Sequence, residues 1–168
     1  MKNIDEKETL EAAKELIDSL GSLVISSVNQ NGEPLASYAP FVKDDEYNFY
    51  ICISPVALHF ENLQNSKIAS LLFIEDESKS KTVFGRKRLY GSFEVEKFQE
   101  NDDRSGQIYE LFEVKFGSSA GFLTKLSDFR IFKFSPTQMS LVLGFGAAFS
   151  IDFKEQLSTH KRLKGHGK

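Results

Sequence analysis

Arg86 and Arg88 stand two residues apart in the run Phe84-Gly85-Arg86-Lys87-Arg88-Leu89-Tyr90-Gly91. In an extended chain, alternate residues share a face, so both guanidinium groups would lie beside Tyr90, with Leu89 and Gly91 on the other side. Planar guanidinium forks suit phosphate or carboxylate, because parallel N–H donors match paired acceptor oxygens. The competing reading is a solvated strand face neutralised by Glu94 and Glu96. A second candidate is Leu143-Gly144-Phe145-Gly146-Ala147-Ala148-Phe149. Its glycines and alanines remove bulk over several residues, which lets a flat ligand or another backbone come close. The G-x-G-x-x-G spacing is absent and no βαβ pattern surrounds it, so dinucleotide binding is not indicated. A bulged strand end packed on its neighbours would carry the same residues.

The histidines are the third candidate. Of three, His160 and His166 fall near the C-terminus, in a stretch with Lys161, Arg162, Lys164 and Lys168. By composition residues 153–168 read as a tail, flexible or folded over a ligand. A histidine there, flanked by Gly165 and Gly167, could give a ring nitrogen to a metal, although the spacing fits no zinc motif. His59 reads as a partly buried, hydrogen-bonded structural residue. No Ser-His-Asp order, HExxH, paired-carboxylate signature or Walker loop is present.

These residues must be positioned by the elements around them. Leu10, Ala13, Ile17 and Leu20 recur at helical spacing and Gly21 is placed as a stop. Residues 22–28 and 34–41 read as a hairpin around Asn29-Gln30-Asn31-Gly32. Asp44-Asp45-Glu46 turns the chain into a strand at 47–53. Ser54-Pro55 has the chemistry of a helix start, with the helix continuing over 56–63. Strands are expected at 68–74 and 82–98, with a charged loop at 75–81 between them. A helix follows at 102–116. The last strands are 129–134 and 139–143, separated by a turn at Ser135-Pro136-Thr137. Strands joined by short turns imply antiparallel pairing. Six or seven of them would tend to close into a barrel, which removes sticky edges. The expected fold is therefore mostly β with flanking helices, one domain over 1–152 followed by the tail.

Composition narrows the partners. A chain of 168 residues with 21 basic and 24 acidic side chains carries a net charge of -3. That gives no broad electrostatic footprint for nucleic acid or an anionic membrane. No apolar run approaches the ~20 residues needed to span a bilayer as a helix. The single cysteine, Cys52, lies in the apolar run Phe49-Tyr50-Ile51-Cys52-Ile53 and reads as a small core residue. Without a disulfide framework or an apolar N-terminal segment, the expected compartment is the cytoplasm. Sixteen phenylalanines and no tryptophan mean that most of the aromatic bulk fills the core.

Taken together, the segments 54–63, 69–74, 86–91, Gly144-Phe145-Gly146-Ala147-Ala148-Phe149 and the Gly-His-rich end resemble the HugZ-type haem-utilisation family. That family belongs to the pyridoxamine-phosphate-oxidase-like split-barrel superfamily. The matches run in the family's order from about residue 10 to the end, and the Gly-Phe-Gly-Ala-Ala-Phe segment is the most specific.

The resemblance implies a split β-barrel homodimer with haem in an interface cleft. It implies a C-terminal axial histidine, His166 first and His160 second, and a pocket arginine, Arg86 or Arg88. Gly144, Phe145, Gly146 and Ala147 would line the haem. The implied activity is oxygenative haem breakdown to a biliverdin-type product, with iron released and with O₂ and an external electron donor as partners. Longer family members have an additional N-terminal region, and any haem contact from that region is expected to be missing here. On the same barrel, FMN could replace haem, with Arg86 and Arg88 on its phosphate. A haem carrier without turnover is the third reading.

Overall fold

Asn29 closes the first hairpin. Its side-chain oxygen accepts from the backbone N–H groups of Asn31 and Glu33, both at 2.9 Å. Gly32 takes a left-handed φ of 82° there, which glycine reaches without a Cβ clash. The computed structural model describes residues 5–121 and 128–160. In it β1 (Ser22–Val28) pairs antiparallel with β2 (Pro34–Pro40), Ser22 opposite Pro40 and Val28 opposite Pro34. Alternation along β1 buries Leu23, Ile25 and Ser27.

The next turn is held by one carboxylate. Asp44 accepts from the backbone of Glu46 and Asn48, from the Asn48 amide and from the Tyr50 hydroxyl, at 2.8–3.0 Å. This joins β3 (Val42–Lys43) to β4 (Phe49–Ile53), every residue of which is buried. Burial first, and then the Asp44 hydrogen bond, push the Tyr50 hydroxyl pKa well above its ordinary value. The remaining elements are α1 (Glu6–Asp18), α2 (Leu58–Asn65), β5 (Ile68–Ile74), β6 (Arg88–Lys97), α3 (Ser105–Phe116), β7 (Arg130–Val142), β8 (Ala148–Asp152) and β9 (Leu157–His160). The strand order is β2-β1-β5-β6-β7-β4-β3, with β8 on β7 and β9 on β8. Every pairing whose register is described here, including β4 with β7 and β7 with β8, is antiparallel. No helix among the described residues is long and apolar enough to cross a membrane.

Two compact units divide the chain. The first comprises Gly21–Leu71 and Ser92–Thr137. It buries Val42, Tyr50, Cys52, Phe98, Ile108 and Phe112 in one cluster. Phenylalanine rings meet edge to face, Phe41 on Phe49 at 5.9 Å and Phe49 on Phe93 at 5.8 Å between centroids. The second comprises Met1–Leu20, Leu72–Gly91 and Gln138–Lys168. There α1 buries Leu10, Ala13 and Ile17 of the expected stripe together with Leu16, while Leu20 lies past the helix end and is half-buried. The Ser158 hydroxyl donates to the Glu6 carbonyl at 2.8 Å, fastening β9 to the start of α1.

Four local expectations change. Helix α2 starts at Leu58 rather than at Pro55. The Ser54 hydroxyl donates to Asp128 at 2.9 Å and accepts from the Val56 N–H at 3.3 Å, so it caps the turn over residues 55–57 rather than the helix itself. Residues 82–87 precede β6 rather than belonging to it. Pro136 does not break the chain into two strands. It lies in β7 between residues 130–134, which pair with β4, and residues 139–142, which pair with β8. A proline, lacking an N–H, is tolerated where no ladder bond is required. Finally, residues 157–160 form β9, a strand that composition did not reveal.

Gly91 is where a side chain cannot be added. A Cβ there would sit 2.0 Å from the Gln138 carbonyl oxygen, a backbone atom. Gly91→Ala is expected to destabilise by at least about 1–3 kcal/mol, the usual range for overpacking. Gly106→Ala is the control, since a Cβ at Gly106 meets nothing within 4 Å. Urea unfolding of both variants checks this; equal midpoints would show that β6 and β7 can move apart at little cost.

Candidate ligand-binding face

The segment ahead of β6 sets the site. Thr82 begins a short 3-10 turn over Val83–Gly85, its hydroxyl accepting from the Phe84 N–H at 3.4 Å. The turn leaves Val83 54% and Phe84 78% exposed. Arg86 follows in extended backbone. Its Nε donates to the Glu75 carbonyl at 3.0 Å and its Nη2 donates to the same oxygen. Its Nη1 lies 3.5 Å from the Glu77 carboxylate. Arg86 therefore sits off the strand and is turned toward its own chain, not ranged beside Arg88 on one strand face.

Arg88 opens β6. Its Nη1 donates to the Arg86 carbonyl at 3.1 Å. Among the described residues no carboxylate pairs with it. Of the two glutamates expected to neutralise this face, Glu96 pairs with Arg104 at 2.7 Å. Leu89 and Phe93 are buried while Tyr90 is 42% exposed, so the alternation expected along this strand holds from Arg88 onward.

Gly144 and Gly146 form the turn from β7 to β8. The Leu143 N–H donates to the Ala147 carbonyl at 2.9 Å, and the Ala147 N–H to the Gly144 carbonyl at 3.3 Å. Their φ values of 142° and 72° explain the glycines, since other L-residues rarely adopt them. The turn holds Phe145 79% exposed. It also lies against the arginine segment. A Cβ added at Gly85 would be 3.8 Å from Gly144 Cα and 3.9 Å from the Phe145 ring. The two segments singled out in the sequence are thus neighbours in space. Glu75 and Glu77, which hold Arg86, were missed because residues 75–81 read as a solvated charged loop.

The histidines are placed differently from one another. His160 ends β9 opposite Phe149, with the two rings edge to face at 5.0 Å between centroids. It is exposed. His166 lies outside the described residues. No group of three or more His, Cys, Asp or Glu side chains is arranged to hold a metal ion among the described residues. Cys52 is buried, and desolvation pushes its thiol pKa to about 12, which leaves it without thiolate character.

Residues 9–143 match the family model described as pyridoxamine 5′-phosphate oxidase. The chain is 31% identical over 155 residues to heme oxygenase HutZ of Vibrio cholerae, covering 92% of this chain and 88% of that one. Among solved structures it is similar to Campylobacter jejuni ChuZ, with a TM-score of 0.81 and 34% identity. It covers 61% of the ChuZ chain, so it spans less than two thirds of that relative. It is also similar to the HutZ structure, described as a heme storage protein, with a TM-score of 0.73 and 30% identity over 80% of this chain and 93% of that one.

His59, on α2, is only 8% exposed, and its Nε2 is buried without a hydrogen-bond partner among the described residues. Desolvation lowers its pKa below the ordinary value of 6.5. The unfolded chain therefore takes up this proton more readily than the folded one, and stability rises with pH across that interval. The contribution of His59 is complete above about pH 6.5 and is lost as pH falls through the lowered folded value. Urea midpoints should drop between about pH 7.5 and about pH 5.5, and His59→Met should reduce that drop. An identical drop in the variant would assign the acid sensitivity to other groups.

Proposed function

Because the chain belongs to the pyridoxamine 5′-phosphate oxidase family, within its HugZ-type haem-utilisation branch, we propose that it binds haem and degrades it oxidatively. The observation that carries this reading is the exposed pair Phe84 and Phe145 on adjoining segments, with Arg88, which pairs with no carboxylate among the described residues, four residues from Phe84. Large exposed apolar side chains grouped with a polar group mark binding sites rather than ordinary surface. Haem has the matching chemistry: a flat apolar ring and carboxylates at one edge. The rings of Phe84, Phe145 and Tyr90 would cover the plane, and the Arg88 fork would hold a propionate. The left-handed Gly144 and Gly146 keep bulk away from the turn that carries Phe145.

In this reading His166 would hold the haem iron, with His160 second. A neutral imidazole is required, since a protonated ring has no lone pair to give. Haem, when bound, would supply the iron chemistry that activates dioxygen. The protein orients the ring through Arg88, shields it with aromatic side chains and fixes the iron through the tail. Electrons come from an external donor. The working form is a cytoplasmic homodimer, whose symmetry would place the same face on both subunits.

A carrier without turnover is the second reading, favoured by the description of HutZ as a storage protein. An FMN oxidoreductase, with Arg88 on the phosphate, is the third, in keeping with the family's flavoenzymes. Purified protein should give a shifted Soret band with haem and no bound flavin with FMN. Haem plus ascorbate in air should then bleach; a stable Soret band would establish carriage instead. Arg88→Ala should weaken haem binding roughly tenfold or more, as expected for loss of a charged hydrogen bond. His166→Ala should change the haem spectrum while His160→Ala does not; the reverse would move the ligand role to His160. Tight FMN binding without haem binding would sink the proposal.

A further inference from the structure

We propose that Arg86 is a positioning residue, spent on Glu75 and Glu77 so that its backbone carbonyl can aim the Arg88 fork at a ligand carboxylate. This rests on the reading of Arg88 given above. Guanidinium Nε and Nη2 of Arg86 both donate to the Glu75 carbonyl, and Nη1 faces the Glu77 carboxylate. The two edges that could form a bidentate fork on a ligand are thereby occupied. Arg86 is not available as a second ligand clamp, although its residue type and spacing suggest one.

The same glutamate also fixes the backbone beside Arg86. The Glu75 N–H donates to the Lys87 carbonyl at 2.9 Å, and the Lys87 N–H donates to the Glu75 carboxylate at 3.3 Å. Residues 86 and 87 are thus fastened to Glu75 through side chain and main chain together. The Arg86 carbonyl then points in a set direction, and the Arg88 Nη1 donates to it at 3.1 Å. One N–H of Arg88 is used in this contact and the remaining donors are left for a ligand. Holding a long side chain by one contact lowers the conformational freedom that must be lost when the anion binds. Arg86 acts through geometry, and its own charge is already countered by Glu77.

The test compares the affinities of the full chain for haem and for haem dimethyl ester, which keeps the iron and ring and lacks the propionate charges. Arg88→Ala should weaken haem roughly tenfold or more and leave the ester nearly unchanged. Arg86→Ala should show the same pattern at roughly threefold to tenfold, the scale of ordering one side chain. The double variant should match Arg88→Ala alone, because a brace has nothing to hold once the fork is gone. Arg86→Lys keeps the charge and cannot reproduce the fork on Glu75, so it should behave like Arg86→Ala. Full affinity in Arg86→Lys would show that charge suffices and would overturn the proposal. So would losses that add in the double variant, or an equal loss for the ester; each leaves haem binding by Arg88 standing. An unchanged affinity in Arg88→Ala would overturn both this inference and the Arg88 reading.

Discussion

Glu75 contributes its carbonyl, its N–H and its carboxylate to the two residues that precede β6. The candidate face depends on this set of bonds. Without it, residues 82–87 would be a short exposed loop between β5 and β6, and a loop of that kind cannot fix a guanidinium. With it, the 3-10 turn at Val83–Gly85 is held at both ends, by Thr82 on one side and by Glu75 on the other. The exposed Phe84 and the aimed Arg88 both follow from that anchoring.

The second half of the face is set by a strand rather than by a loop. β7 runs unbroken through Pro136 because its partner changes there, from β4 to β8. Its continuation delivers residues 143–147 as a tight turn, and positive φ values at Gly144 and Gly146 let that turn close. Phe145, between them, is held at the surface. The close approach of Gly91 to the Gln138 carbonyl holds the start of β6 to the same strand. The arginine segment and the glycine turn are therefore tied to one strand by backbone contacts, which are stiffer than side-chain packing.

Polar groups elsewhere in the protein serve the fold. Asp44 absorbs four donors in one turn, and Arg104 joins Glu96 and Asp102 while stacking 4.0 Å above the Phe98 ring. Hydrogen bonds to Arg104 hold the Asp102 carboxyl pKa down at about 2. These residue types are the ones that catalytic sites use. Satisfied by their neighbours, they show why residue type alone does not identify a site.

Much was legible in the residues themselves. The stripe of α1, the Asn29–Gly32 turn, the buried run around Cys52 and the alternation from Arg88 to Lys97 follow from local periods and turn chemistry. The Gly-Phe-Gly-Ala-Ala-Phe segment and the order of the motifs carried the resemblance that similarity to HutZ and ChuZ then supported. Tertiary structure decided what depends on partners distant in sequence. Ser54 caps a turn and reaches Asp128 while the helix begins at Leu58, Pro136 stayed in a strand because of a change of neighbour, and residues 157–160 became β9 only through β8. The same holds for the arginines. Spacing made Arg86 and Arg88 equivalent, and Glu75, eleven positions away, made one a brace and left the other with donors to spare. Sequence patterns record the conformations a segment prefers; the hydrogen-bond partners that choose among them are set only when the chain has folded.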